Sequence, residues 1–234
     1  MDAQSQPFVL RGGLLVDGSG STAHVADLLV RDGRIEAIGQ IGETAGTPID
    51  CTDKVVAPGF IDAHSHMDFF AAGDEPRHFD SFTAQGVTTF VAGNCGFSPF
   101  GFAEGTPHRA LLESSLFKAG REKLDWNSFA EYRAVLQRIG LTHNFVHLAG
   151  HGATRTSLSG FEARPLTGDE NALMLRILER ELSDGAAGVS LGLQYKPGVF
   201  VKLDELDQVA RLVKKHDKLL TVHAKAYSSF SGTY

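Results

Sequence analysis

Only two cysteines, one tryptophan and three methionines occur among the 234 residues. Two thiols, Cys51 and Cys95, are too few for a disulfide framework. Long apolar runs are missing too: none approaches the roughly 20 residues that a bilayer-spanning helix needs, so no membrane partner is expected. The opening MDAQSQPFVLRGG has no basic stretch followed by an apolar core, so no secretory signal is expected. Positive charge is outweighed, with 22 Lys and Arg against 28 Asp and Glu and a net charge of -6. Nothing in that balance points to nucleic acid or an anionic surface as partner. A cytoplasmic location is the default expectation.

What is abundant is glycine, at 26 residues, in a chain that is 42% hydrophobic and 21% charged. That is the profile of a globular protein with many tight strand-to-loop transitions. The first 50 or so residues read as β structure. In ADLLVRDGRIEAIG, Leu29 and Val30 lead to Asp32-Gly33 and then to Ile35, Ala37 and Ile38. Asp-Gly supplies the positive φ angles of a two-residue hairpin. These strands are too few to close a core alone, so they are expected to share a small sheet with another segment.

After Lys54 the rhythm changes. Short runs rich in Val, Phe, Leu or Thr occupy residues 55–64, 86–94, 143–150, 186–193 and 218–223. Such runs suit parallel strands buried on both faces. Helices are signalled between them. Thr167 with Glu170 forms a capping box; Leu175, Leu178 and Leu182 make a stripe; Gly185 suits the C′ position. A second helix carries Leu203, Leu206, Val209, Ala210 and Val213 on one face. A third, SFAEYRAVLQRIG, ends at Gly140, and a helix is expected near 107–119. Repeated strand–helix units predict an α/β fold with a parallel sheet. The division expected is 1–54 for the N-terminal strands and 55–234 for the strand–helix units.

Chemistry gathers where the expected strands end. The first ends at His64-Ser65-His66 and the second at Asn94-Cys95. The third runs to His147 and His151, the fourth leads into Tyr195, and the fifth ends at His223-Ala224-Lys225. Strand C-termini of a (β/α)8 barrel converge on one face, where active sites sit. Imidazoles and a thiol on that face would make a metal site. Each residue also has an ordinary reading: His-x-His as a polar strand end, Cys95 as a small buried residue, Tyr195 as a packing aromatic, Lys225 as a solvated charge. His147 and His151 also fit as core or loop histidines, His151 being the better site candidate because it lies past the strand. His24, His78, His108, His143 and His216 read as surface or helix positions, and Cys51 as structural.

Taken together, PGFIDAHSHMD, GVTTFVAGNCGFSPF, GAAGVSLGLQYKPG and TVHAK resemble the N-acyl-D-amino-acid deacylases (D-aminoacylases) of the amidohydrolase superfamily. The likeness runs from about Gly12 to the chain end, and Gly-Asn-Cys-Gly is its most specific piece. It implies a metal-dependent (β/α)8 barrel with a small β-sandwich beside it, the sandwich sharing strands from both chain ends. It further implies that His64 and His66 hold a weakly bound metal. Cys95 and His223 would hold a tight zinc, with Cys95 able to bridge to a second ion. Tyr195 would donate to the oxyanion. Apart from the resemblance, the charge of Lys225 suits a substrate carboxylate, and His151 is the other candidate for the substrate side. Many superfamily relatives bridge two metals with a carbamylated lysine in the fourth strand. GVSLGLQY has no lysine there, which favours the cysteine version.

The implied reaction is zinc-assisted hydrolysis of the amide of an N-acyl-D-amino acid. The resemblance stops after five strand–helix units, so the family's histidine after strand six and aspartate at strand eight fall outside the chain. The expectation is a polypeptide of low stability and little activity alone, completed by a second barrel half or by self-association. Two other readings are a cyclic amidase of the dihydroorotase or hydantoinase type, and a non-catalytic metal-binding chain.

Overall fold

Asp32 and Gly33 adopt left-handed φ angles of 49° and 71°, which matches the twist of a two-residue hairpin. They join β2 (His24–Arg31) to β3 (Arg34–Gly39). The structure, a computed structural model, describes residues 6–73, 79–116 and 124–226; His78 lies outside them. The chain forms two compact units, Met1–Gly59 and Phe60–Tyr234.

The first unit is a five-stranded mixed sheet. β1 (Phe8–Leu15) pairs antiparallel with β2 and parallel with β4 (Thr47–Asp50) and β5 (Val55–Val56). A bulge interrupts β1 between Leu10 and Gly13. Asp27 satisfies it by accepting from Gly12 N at 3.0 Å and from Arg11 Nη1 at 2.7 Å. Those bonds, the Gly12 amide first, hold the Asp27 carboxyl below the usual range. Val9, Leu15, Leu28 and Leu29 are buried, whereas Val25, Ile35, Ile38, Ile49 and Val55 are exposed.

The second unit is α/β. Its five strands are β6 (Phe60–Asp62), β7 (Val87–Ala92), β8 (Asn144–Gly150), β9 (Gly188–Gly192) and β10 (Leu219–His223). They lie in sequential order and every pair is parallel. This is a run of successive β/α units of a (β/α)8 barrel. The run 55–64 therefore divides: Val55 and Val56 serve the first sheet, and only Phe60–Asp62 enters the second.

The helices are α1 (Asp68–Ala71), α2 (Asp80–Thr83), α3 (Arg109–Leu116), α4 (Phe129–Ile139), α5 (His151–Ser159), α6 (Gly168–Ser183) and α7 (Leu203–Lys215). Thr167 and Glu170 form the capping box of α6, and Ser128 and Glu131 form a second on α4. The fully enclosed Glu181 carboxylate also meets the first turn of α4, accepting from Phe129 N at 2.5 Å. A carboxylate there complements the positive helix end. On α7 the buried apolar residues are Val209, Leu212 and Val213. Leu203, read from the sequence as part of that face, is 83% exposed, because it begins the helix directly after its cap, Lys202.

Phe90, Phe100, Tyr132, Leu178 and Leu182 belong to one apolar core. Two buried polar groups sit within these layers. His147 is enclosed by the rings of Phe129, Phe145 and Tyr132, with centroids 5.3–5.5 Å away. Burial pushes its pKa down to about 3. His143, expected at the surface, is instead buried, 5.3 Å from the Phe79 ring and 5.2 Å from that of Phe90. Its Thr83 and Thr142 neighbours meet the ring nitrogens, so hydrogen bonding makes its burial tolerable.

Candidate metal centre

β6 and β7 are neighbours, so the segments leaving them emerge side by side. β6 stops at Asp62, and His64 and His66 therefore lie on a loop rather than on the strand. The strand-like alternation persists because Ser65 N donates to Val91 O at 3.0 Å. Asn94 Nδ2 donates to Ser65 O at 3.3 Å and to Val91 O at 2.9 Å. Ser65 is consequently buried while the residues on either side face outward. The His64 and His66 rings stand edge-on at 5.8 Å. Desolvation lowers the His66 pKa, and the neighbouring His64 adds to that.

The turn after β7 is bent by three left-handed residues: Gly93 (φ 78°), Cys95 (57°) and Gly96 (78°). Glycine accepts such angles freely, whereas an L side chain there costs about 1–2 kcal/mol. Cys95 is nevertheless held. Tyr195 Oη donates to Cys95 O at 2.5 Å, and Ala153 N donates to Gly96 O at 2.9 Å. Gly192 is required beside it: a Cβ there would lie 2.1 Å from Cys95 O and 2.6 Å from Tyr195 Oη.

The result is a cluster in which one ligand atom each from His64, His66 and Cys95 lies within 4.8 Å of the others. Cys95 Sγ is 3.3 Å from His64 Nε2. Tetrahedral zinc, with Zn–S of about 2.3 Å and Zn–N of about 2.0 Å, places sulfur and nitrogen ligands about 3.5 Å apart. The donor types, and the spacing of the Cys95–His64 pair, therefore fit a thiophilic divalent ion.

The other expected residues are placed differently. His223 ends β10 with Nε2 2.8 Å from Gln194 Oε1 and its ring edge-on to Tyr195 at 5.1 Å. It lies outside the three-residue cluster. The Tyr195 hydroxyl proton is engaged by Cys95 O, so donation to an oxyanion would have to replace that bond. Lys225 Nζ reaches Val199 O at 3.4 Å on the exposed surface. His151 is fully enclosed, 2.9 Å from Glu205 Oε1, and Arg155 Nη1 donates to both Glu205 oxygens at 2.9 and 2.8 Å. That group ties α5 to α7 from within the helix layer and offers His151 no face toward solvent.

Several participants escape a reading of the sequence. Asp68, two residues beyond His66, is completely buried, with no well-formed hydrogen bond to either carboxyl oxygen, and burial pushes its pKa up to about 8. Asn94 and Ser190 brace the two ligand-bearing segments. Ser190 does stand out within its run: it is the single polar residue in AAGVSLGL, where both faces are expected to be buried.

A sequential parallel β/α sheet with imidazoles and a thiol gathered at its strand ends is the arrangement of part of a (β/α)8 barrel with a candidate metal site on its C-terminal face. A profile of the amidohydrolase family matches residues 47–226, and the chain belongs to that family. It is 34% identical over 226 residues to a D-aminoacylase of Alcaligenes xylosoxydans xylosoxydans, covering 95% of this chain and 46% of the relative. It is 34% identical over 213 residues to an N-acyl-D-aspartate deacylase of the same organism, covering 90% of this chain and 41% of the relative. Among solved structures it is similar to N-acyl-D-glutamate deacylase from Bordetella bronchiseptica, crystallised with zinc and a phosphonate mimic of the tetrahedral intermediate. That similarity has 35% identity and a TM-score of 0.81, over 94% of this chain and 45% of the other. The chain thus spans about half the length of the curated relatives it matches. No helix among the described residues is long and apolar enough to cross a membrane.

Proposed function

We propose that this chain contributes the thiolate-bearing side of a zinc site that hydrolyses the amide of N-acyl-D-amino acids. The observation that carries the reading is the meeting of His64, His66 and Cys95. The relatives' activities support the substrate class. When bound, zinc lowers the pKa of water to about 7 and polarises the scissile carbonyl. His64 and His66 present imidazole nitrogens, and Cys95 presents sulfur from a fixed turn. His223 would join them by leaving Gln194, Tyr195 steadies the Cys95 turn and would donate to the oxyanion by exchanging its bond to Cys95 O, and Lys225 offers a point charge to the substrate carboxylate.

The barrel face needs a complement. Phe60 and Ile61 on β6 are each 66% exposed and Val222 on β10 is 50% exposed, at the two edges of the sheet. Bare apolar edges favour pairing with another chain segment. We assign that role to further strand–helix units of the barrel or to a second copy.

The test is hydrolysis of N-acetyl-D-amino acids and their L enantiomers by the zinc-loaded chain, alone and mixed with the C-terminal barrel half of a relative. Little turnover alone and D-selective turnover in the mixture is the expected result. Cleavage of dihydroorotate or a hydantoin with none of an N-acyl-D-amino acid would overturn it.

A further inference from the structure

The turn that carries Cys95 is fastened to the sheet behind it by a serine. Ser190 is the third residue of β9 and is fully enclosed. Its Oγ accepts from Gly96 N at 2.9 Å and donates its own proton to Gly93 O. One hydroxyl thereby closes both ends of the Gly93–Gly96 turn, across 94 and 97 residues of sequence. Cys95 lies between those ends in the left-handed region. Released from the two bonds, the residue has reason to relax, and any change in its φ swings the Cα–Cβ bond and carries Sγ away from His64 and His66.

We infer that Ser190 is the positioning residue of the thiolate, and that its hydroxyl sets how tightly the His64–His66–Cys95 group holds a thiophilic divalent ion. The inference rests on the reading of Cys95 as a ligand. Partners that orient metal ligands from behind typically control affinity by about 10–100-fold.

A serine that merely satisfied buried backbone would behave otherwise, and the fold supplies a matched control. Ser98 is also fully enclosed, accepts from Gly150 N at 2.9 Å and donates to Phe100 O at 2.7 Å. It makes the same two kinds of bond without closing the Cys95 turn.

The test is cobalt(II) titration of the full chain, followed by the cobalt–thiolate charge-transfer band, with melting temperatures measured in parallel. The expectation is that S190A loses about 10–100-fold in cobalt affinity and most of the band. S190T, which keeps the hydroxyl, should recover both, and S98A should lose thermal stability while binding cobalt as the wild type does. Equal affinity and equal band intensity in S190A and S98A would overturn the inference while leaving Cys95 a ligand. A wild-type spectrum with no thiolate band, or one unchanged in C95S, would overturn the ligand reading itself. Amide exchange of the wild type adds a measurement that needs no variant to fold. Slow exchange at Gly96 N–H supports the Ser190 bond, and exchange as fast as at an open loop contradicts it.

Discussion

Cys95 and the His64–His66 pair follow adjacent strands, yet the backbone behind them is secured differently. Behind Cys95 stands β9, buried at all five positions, with Ser190, Tyr195 and Ala153 bonded to the turn. Behind His64 and His66 stands β6, a three-residue edge strand with two exposed apolar residues. Local stability follows density of packing and bonding. The sulfur therefore belongs to the rigid centre of the sheet, and the imidazoles belong to its looser rim. On the proposed reading, a site so divided fixes the sulfur in advance and leaves the imidazoles on the looser side.

The largest loss is expected in the helix layer, where α5 meets α7. Glu205→Ala would strand the buried Arg155 guanidinium without its carboxylate. Removing one partner of such a pair costs about 3–5 kcal/mol, which urea denaturation would register as a much lower midpoint. Gly192→Ala is next, since its methyl would overlap Cys95 O and the Tyr195 hydroxyl. Overpacking of this kind costs about 1–3 kcal/mol, and here weaker binding of zinc, read by calorimetry, should accompany it.

His147 gives the centre a pH dependence. Its folded pKa is about 3, whereas the unfolded chain takes up the proton near 6.5. The unfolded state thus binds more protons between those values, so stability is full above about pH 6.5 and falls toward pH 3. The slope for one such group approaches about 1.4 kcal/mol per pH unit. His147→Phe should flatten that part of a stability–pH curve. At the rim, Val222→Thr should change stability by less than about 0.5 kcal/mol, because the side chain is half exposed. A loss above 2 kcal/mol in the same urea assay would erase the distinction between centre and rim.

Much of this division was legible in the residues. Runs rich in Val, Phe, Leu or Thr located β7 to β10, and the capping pair Thr167 and Glu170 located the start of α6, because both signals are local. The division of 55–64 between two sheets was not legible, since register depends on partners distant in sequence. The imidazoles of His64 and His66 and the thiol of Cys95 stood out by their chemistry. The role of their supports did not: Asn94 and Ser190 act through bonds to residues 29 and 97 positions away. His143 misled because a histidine at a strand start reads as polar, and only the fold surrounds it with Phe79 and Phe90.

X-ray absorption at the zinc edge of the metal-loaded chain reads zinc ligation by the Cys95 thiolate itself. A sulfur neighbour at about 2.3 Å alongside nitrogen neighbours near 2.0 Å is expected, with the sulfur shell lost in Cys95→Ser. A shell of nitrogen and oxygen alone in the wild type would contradict it.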